Sequence, residues 1–106
     1  MIHYTDDNKI QNIIDNNEKL IIVFGKGENC GVCHAVEDRV NRTIALQYPD
    51  LDIFYLTIDN SPTFRGQHLI FTVPTLLVFD RNKEIHRESR IIDFSRLERL
   101  LSLYFD

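Results

Sequence analysis

The chain has 106 residues, 12 Lys and Arg against 16 Asp and Glu, and 43% hydrophobic residues. A net charge of −4, with no run of five like charges, argues against an electrostatic nucleic-acid binder or a polybasic membrane anchor. The apolar runs fall far short of the roughly 18 residues of a membrane span, and thirteen Ile with eleven Leu supply a core without metal or disulfide staples. One soluble domain over residues 1–106 is the expectation. The opening Met1–Lys9 has no charged region followed by an apolar one, so a cytoplasmic location is expected.

Taken in chain order, Ile2-His3-Tyr4 is a short extended start, and Thr5 or Asp6 is placed to cap a helix whose Ile10, Ile13 and Ile14 follow helical spacing. Leu20–Phe24 is too short for a stable helix and too apolar to alternate, which predicts a strand buried on both faces. A long helix follows Cys30, with Val32, Val36, Val40 and Ile44 as its apolar stripe and Glu37, Asp38, Arg39 and Arg42 mostly off it. Pro49-Asp50 ends it. Ile53–Ile58 is a second buried strand, and Ser61-Pro62 forms an N-cap and first-position pair for a brief helix.

Thr75–Phe79 is a third apolar strand, turning through Asp80–Lys83 into a weaker strand over Glu84–Ser89. A closing helix is capped by Asp93 or Ser95 and buries Leu97, Leu100, Leu101 and Tyr104. Strands alternating with helices in the order βαβαβαββα predict an α/β fold. Its sheet is mostly parallel and covered on both faces, made mixed by an antiparallel edge hairpin. Phe24, Phe54, Tyr55, Phe64, Phe71 and Phe79 are read as core and edge packing.

The two cysteines, Cys30 and Cys33, sit three apart, where a strand runs into a helix. Positions i and i+3 share a helix face. At or near the N-cap, Cys30 meets free backbone N–H groups and the positive end of the helix dipole, which stabilise its thiolate as the nucleophile of disulfide exchange. Cys33, one turn in and facing the core, acts second and resolves the mixed disulfide. Gly31 lets a substrate backbone approach. Val32, unlike a proline, keeps its N–H as a further donor to the Cys30 thiolate.

The string Cys30-Gly31-Val32-Cys33-His34 also matches the c-type haem attachment pattern, but no haem pocket is recognisable. Zinc would need two more ligands from His3, His34, His68 or His86, which show no ligand spacing. Neither metal nor cofactor is expected.

The opening Ile2–Asp7, the CGVC after a buried strand, Ile58-Asp59, and Val73-Pro74-Thr75-Leu76-Leu77-Val78-Phe79 occur in the order seen in the thioredoxin family. The chain resembles that family over nearly its whole length. The resemblance implies a thioredoxin-like fold and a thiol–disulfide oxidoreductase with Cys30 and Cys33 as catalytic pair. It also implies a cis Val73–Pro74 bond beside the thiols, whose bulk discourages metal binding, and a substrate groove of Gly31, Val32, Val73, Pro74 and Thr75. Within it, Val73 offers its backbone to an extended substrate strand.

The implied partners are disulfide-containing proteins or low-molecular-weight thiols, with a flavoprotein disulfide reductase as electron donor. A monomer acting in cell redox homeostasis is implied, without nucleic acid or membrane. Three positions depart from the family pattern. Asn29 stands in place of the tryptophan before the first cysteine, Val23 or Phe24 in place of a buried acid, and Tyr55 at or near the place of the lysine that pairs with that acid. Glu28, Asp59 and His34 are the remaining candidates for deprotonating Cys33. A thioredoxin-fold binding, adaptor or redox-sensing module with little turnover is the alternative reading.

Overall fold

In the computed structural model, which describes residues 1–105, the three apolar runs become the middle of one five-stranded sheet. β2 (Leu20–Lys26) is central, flanked by β3 (Asp52–Thr57) and β4 (Thr75–Asp80), while β1 (Ile2–Tyr4) and β5 (Lys83–Ser89) form the edges. Successive residues of a strand face opposite sides, and the core divides accordingly. Leu20, Ile22 and Phe24 join Ile53, Tyr55, Leu76 and Val78 on one side of the sheet; Ile21 and Val23 join Phe54, Leu56, Leu77 and Phe79 on the other.

The first side is covered by α2 (Gly31–Arg42), α3 (Ile44–Gln47) and α5 (Phe94–Phe105), which bury Val40, Ile44, Leu97 and Leu101. The second is covered by α1 (Ile10–Asp15) and α4 (Pro62–Gln67) through Ile10, Ile14 and Phe64. This is the thioredoxin-like α/β architecture, with a mixed sheet and helices on both faces.

The sheet is less parallel than expected. β1 and β2 both run parallel to β3, but β4 is antiparallel to β2 as well as to β5. The connection after β3 explains the reversal. A six-residue α4 spans only about 9 Å, short of the roughly 20 Å length of a six-residue strand. The chain therefore crosses the end of the sheet instead of returning along it. It enters β4 at Thr75, opposite Gly25, beside the end where Lys26 and Thr57 pair. The hairpin from β4 to β5 turns through Arg81 and Asn82, both at positive φ (50° and 66°), as a two-residue type I′ loop requires.

Helix phases and caps also differ from expectation. The buried stripe of α2 is Cys33, Glu37 and Val40, continuing into Ile44. Val36 is only partly buried and Val32 is 60% exposed. The long helix breaks at Thr43, whose hydroxyl donates to Arg39 C=O (2.7 Å) and whose φ and ψ are −120° and −75°. Asp93 caps α5 by accepting Arg96 N–H at 3.0 Å, whereas Ser95 lies inside the helix. Tyr104 is exposed and donates to Asp80.

Neither Thr5 nor Asp6 caps α1, which begins at Ile10 with no side-chain cap. Ser61 occupies the N-cap position of α4 but turns its hydroxyl to Thr57 C=O (2.8 Å). The acceptor for that helix is Asp7, whose carboxylate receives Thr63 N–H at 3.0 Å and Phe64 N–H at 2.8 Å. Phe71, read as packing, is 83% exposed.

Candidate active site

β2 delivers the chain to the carboxyl end of the sheet, and a short loop leads into α2. Cys30 is its N-cap residue, in extended backbone conformation, and its sulfur accepts the Cys33 N–H at 3.1 Å. This donor is the third helical residue, as in side-chain capping by oxygen. Cys30 and Cys33 are joined as a disulfide with Cα atoms 5.2 Å apart. Their accessibility is unequal: Cys30 is partly exposed, and Cys33 is 1% exposed. Gly31 and Val32 lie on the open rim, with nothing within 4 Å of a Cβ added at Gly31.

The Val73–Pro74 bond is cis, and Pro74 is buried. Gly27 brings this loop against the helix start. A Cβ at Gly27 would lie 3.1 Å from Val73 Cγ2, 3.3 Å from Cys30 Cβ and 3.8 Å from Asp59 Oδ1. Bare backbone is needed there for Cys30 and Val73 to approach. Pro74 C=O accepts Arg90 N–H at 2.8 Å, which ties the loop to the chain beyond β5. Thr75, grouped with the groove from sequence, is buried and donates its hydroxyl to Thr72 C=O (2.7 Å), so its side chain holds the turn.

A cavity of about 260 Å³ adjoins the disulfide, lined by Lys26, Gly27, Glu28, Cys30, Cys33, His34, Glu37 and Thr57. Among these residues Glu37, 8% exposed, takes Lys26 Nζ on Oε1 at 2.8 Å and the Tyr4 hydroxyl on Oε2 at 3.1 Å. Lys26 Nζ also sits 5.4 Å from the Tyr4 ring centroid and 5.9 Å from that of Tyr55. Burial, with Glu37 and Tyr4 adding to it, pushes the Tyr55 hydroxyl well above its ordinary pKa of 10, and that hydroxyl donates to Asn41 Oδ1 at 2.6 Å.

Lys26 and Glu37 were not recognised from sequence as site residues. Lys26 reads as a loop charge until β2 is seen to run two residues past Phe24, and Glu37 reads as a solvated charge when the stripe is phased on Val32. Phased on Cys33, the spacing i, i+4, i+7 places Glu37 inside. Val23, Phe24 and Tyr55, the positions compared above with the family's acid and lysine, are all fully buried, and Phe24 meets Tyr55 edge to face with centroids 5.3 Å apart. Of the other candidate acids and bases, Glu28 is exposed and accepts Asn60 Nδ2 at 3.1 Å, while Asp59 and His34 are exposed.

The four histidines are dispersed. His3 pairs with Asp52 (3.0 Å), His68 with Gln11 (2.6 Å) and His86 with Glu88 (2.6 Å). Among the described residues, no three His, Cys, Asp or Glu side chains are grouped to hold a metal ion. No described helix is long and apolar enough to cross a membrane.

A disulfide-forming pair at a helix start, set against a cis-proline loop on a mixed sheet, defines a CxxC dithiol protein of the thioredoxin fold. The thioredoxin family profile matches residues 1–102. The chain is 33% identical over 92 residues to the thioredoxin-like protein YdfQ of Bacillus subtilis, covering 87% of this chain and 80% of that protein. It is 30% identical over 83 residues to a thioredoxin of Chlamydia trachomatis, covering 78% and 80%. The structure of Fasciola hepatica thioredoxin matches with a TM-score of 0.79 over 96% of this chain and 97% of that one, a likeness of fold at 19% identity. The chain belongs to the thioredoxin family.

Proposed function

We propose that residues 1–106 work as one cytoplasmic domain that exchanges disulfides with protein and low-molecular-weight thiol substrates. The observation that carries this reading is the unequal placement of the two sulfurs. Cys30 is partly exposed at the positive end of a 12-residue helix, and Cys33 is buried one turn in. Reduced Cys30 attacks a substrate disulfide as thiolate and expels one substrate thiolate. Cys33 then attacks Cys30 Sγ, closes the Cys30–Cys33 disulfide and releases the second substrate thiol. Gly31, Val32, Val73 and Pro74 shape the groove, with Val73 presenting backbone to an extended substrate segment. A flavoprotein disulfide reductase returns the pair to the dithiol, so the domain needs no cofactor of its own, and it acts as a monomer.

Reduction of insulin disulfides by dithiothreitol, with wild type beside Cys30→Ser, tests the reading. Wild type is expected to accelerate the reaction and the variant to lose that acceleration; equal rates in the two overturn it. An adaptor with little turnover is the second reading, favoured by the buried, uncharged Val23, Phe24 and Tyr55 at or near the places of the acid and lysine in the family pattern. Equal rates in that assay would support it.

A further inference from the structure

Resolution of a mixed disulfide requires Cys33 to lose a proton, because the thiolate and not the thiol is the attacking species. Cys33 is almost fully buried, so its proton needs an acceptor inside the protein. Glu37 lies four residues further along α2, on the same face, about 5–6 Å away between Cβ atoms by helix geometry. Both residues line the same cavity, whose volume is far above the roughly 10–15 Å³ that admits one water. A carboxylate has about four acceptor sites. Lys26 and Tyr4 occupy two of those on Glu37, which leaves acceptor capacity beside the cavity.

We propose that Glu37 is the proton acceptor for Cys33, acting through water in this cavity, with Lys26 and Tyr4 as positioning residues that hold its carboxylate there. The inference rests on the thiol–disulfide exchange reading above. In the mixed disulfide, the Cys33 proton passes to Glu37, leaving a thiolate and a neutral carboxyl. The Cys33 thiolate bonds to Cys30 Sγ as the bond from Cys30 to the substrate sulfur breaks. Glu37 then passes the proton to a basic departing thiolate, or to water when that thiolate is too weak a base to hold it, and so ends ionised. The ionisable groups facing Glu37 are Tyr4 from β1, Lys26 from β2, Tyr55 from β3, Cys33 and His34 from α2, and Glu28 from the intervening loop.

Pre-reduced protein mixed with a symmetrical aromatic disulfide that yields a coloured thiolate separates the two steps. Attack by Cys30 releases the first equivalent; attack by Cys33 releases the second. In Glu37→Gln the first release is expected to stay within about twofold of wild type. The second is expected to slow about 100-fold near pH 7 and to recover as pH rises, because hydroxide replaces the missing acceptor. Glu37→Asp keeps the carboxylate and restores most of the second rate.

Tyr4→Phe and Lys26→Gln leave Glu37 in place and are expected to shift the pH profile of the second release without abolishing it. A second release in Glu37→Gln with the wild-type rate and pH profile overturns the proposal, as does a loss of equal factor at every pH. Should Glu37→Gln not fold, unchanged profiles in both Tyr4→Phe and Lys26→Gln overturn it, and shifted profiles support it. Failure of the insulin assay alone would remove the protein-substrate reading while leaving this two-step release decisive for Glu37.

Discussion

Substituting Gly27 by Ala places a methyl group between the dithiol and the cis-proline loop. The added carbon would sit 3.1 Å from Val73 Cγ2 and 3.3 Å from Cys30 Cβ, against an ordinary carbon–carbon contact of about 3.5 Å or more. Val73 must therefore retreat by roughly 0.4 Å and Cys30 by roughly 0.2 Å. Overpacking of this size costs about 1 kcal/mol, which lowers the melting temperature by about 4–8 °C in a domain of this length. A misplacement of about 1 Å costs up to about 100-fold in rate, so about 0.4 Å scales to roughly sixfold.

Gly25→Ala is the internal comparison. Its Cβ would lie 2.7 and 2.8 Å from two side-chain carbons of Ile58, with Thr75 O next at 3.8 Å. It is expected to lose more stability, about 2–3 kcal/mol, and to keep its turnover per folded molecule. Thermal denaturation and insulin reduction, normalised to the folded fraction, measure both variants. Full turnover in Gly27→Ala, or a larger loss of turnover in Gly25→Ala than in Gly27→Ala, would refute the reasoning.

Two further variants test features remote from the dithiol. Asp7→Ala removes the acceptor for the first N–H groups of α4, one of them partly buried. It should cost about 1–2 kcal/mol and lower the melting temperature by about 5–10 °C; a change below about 1 °C would show that α4 needs no such cap. Burial pushes the His68 pKa below its ordinary 6.5, with Arg87 acting in the same sense and Glu84 and Asp15 opposing. The unfolded chain therefore takes up the proton first, so stability is complete above about pH 6.5 and falls as pH drops toward the lowered folded-state value. Urea denaturation across that window should show a steeper fall for wild type than for His68→Gln, and parallel curves would remove His68 as the source.

The strands were readable because each of β2, β3 and β4 contains an apolar run of four or five residues, the pattern of a strand covered on both faces. The direction of β4 was not readable. It depends on how far α4 and its flanking loops carry the chain, a length that composition does not encode. Cys30 and Cys33 were legible from spacing and context alone. Glu37 was hidden by a one-residue ambiguity of phase, since Val32 and Cys33 both start plausible apolar stripes and only packing against the sheet chooses between them. The cap on α4 was hidden differently. Ser61 is a good local candidate, while Asp7 is 56 residues from Thr63, beyond any window in which capping is sought.

β1 sits at the edge of the sheet and pairs only with β3, Ile2 opposite Ile53 and Tyr4 opposite Tyr55. Asp7 likewise waits for residues 63 and 64. On a ribosome the amino-terminal segment therefore emerges with no partner, and about fifty more residues must be synthesised before its ladder can form. Central β2 finds β3 at the same stage but lacks its other neighbour until β4 follows. Long-range pairings of this kind slow folding. β1 and β2 thus gain a ladder together, when β3 is complete, and the hairpin of β4 and β5 joins later.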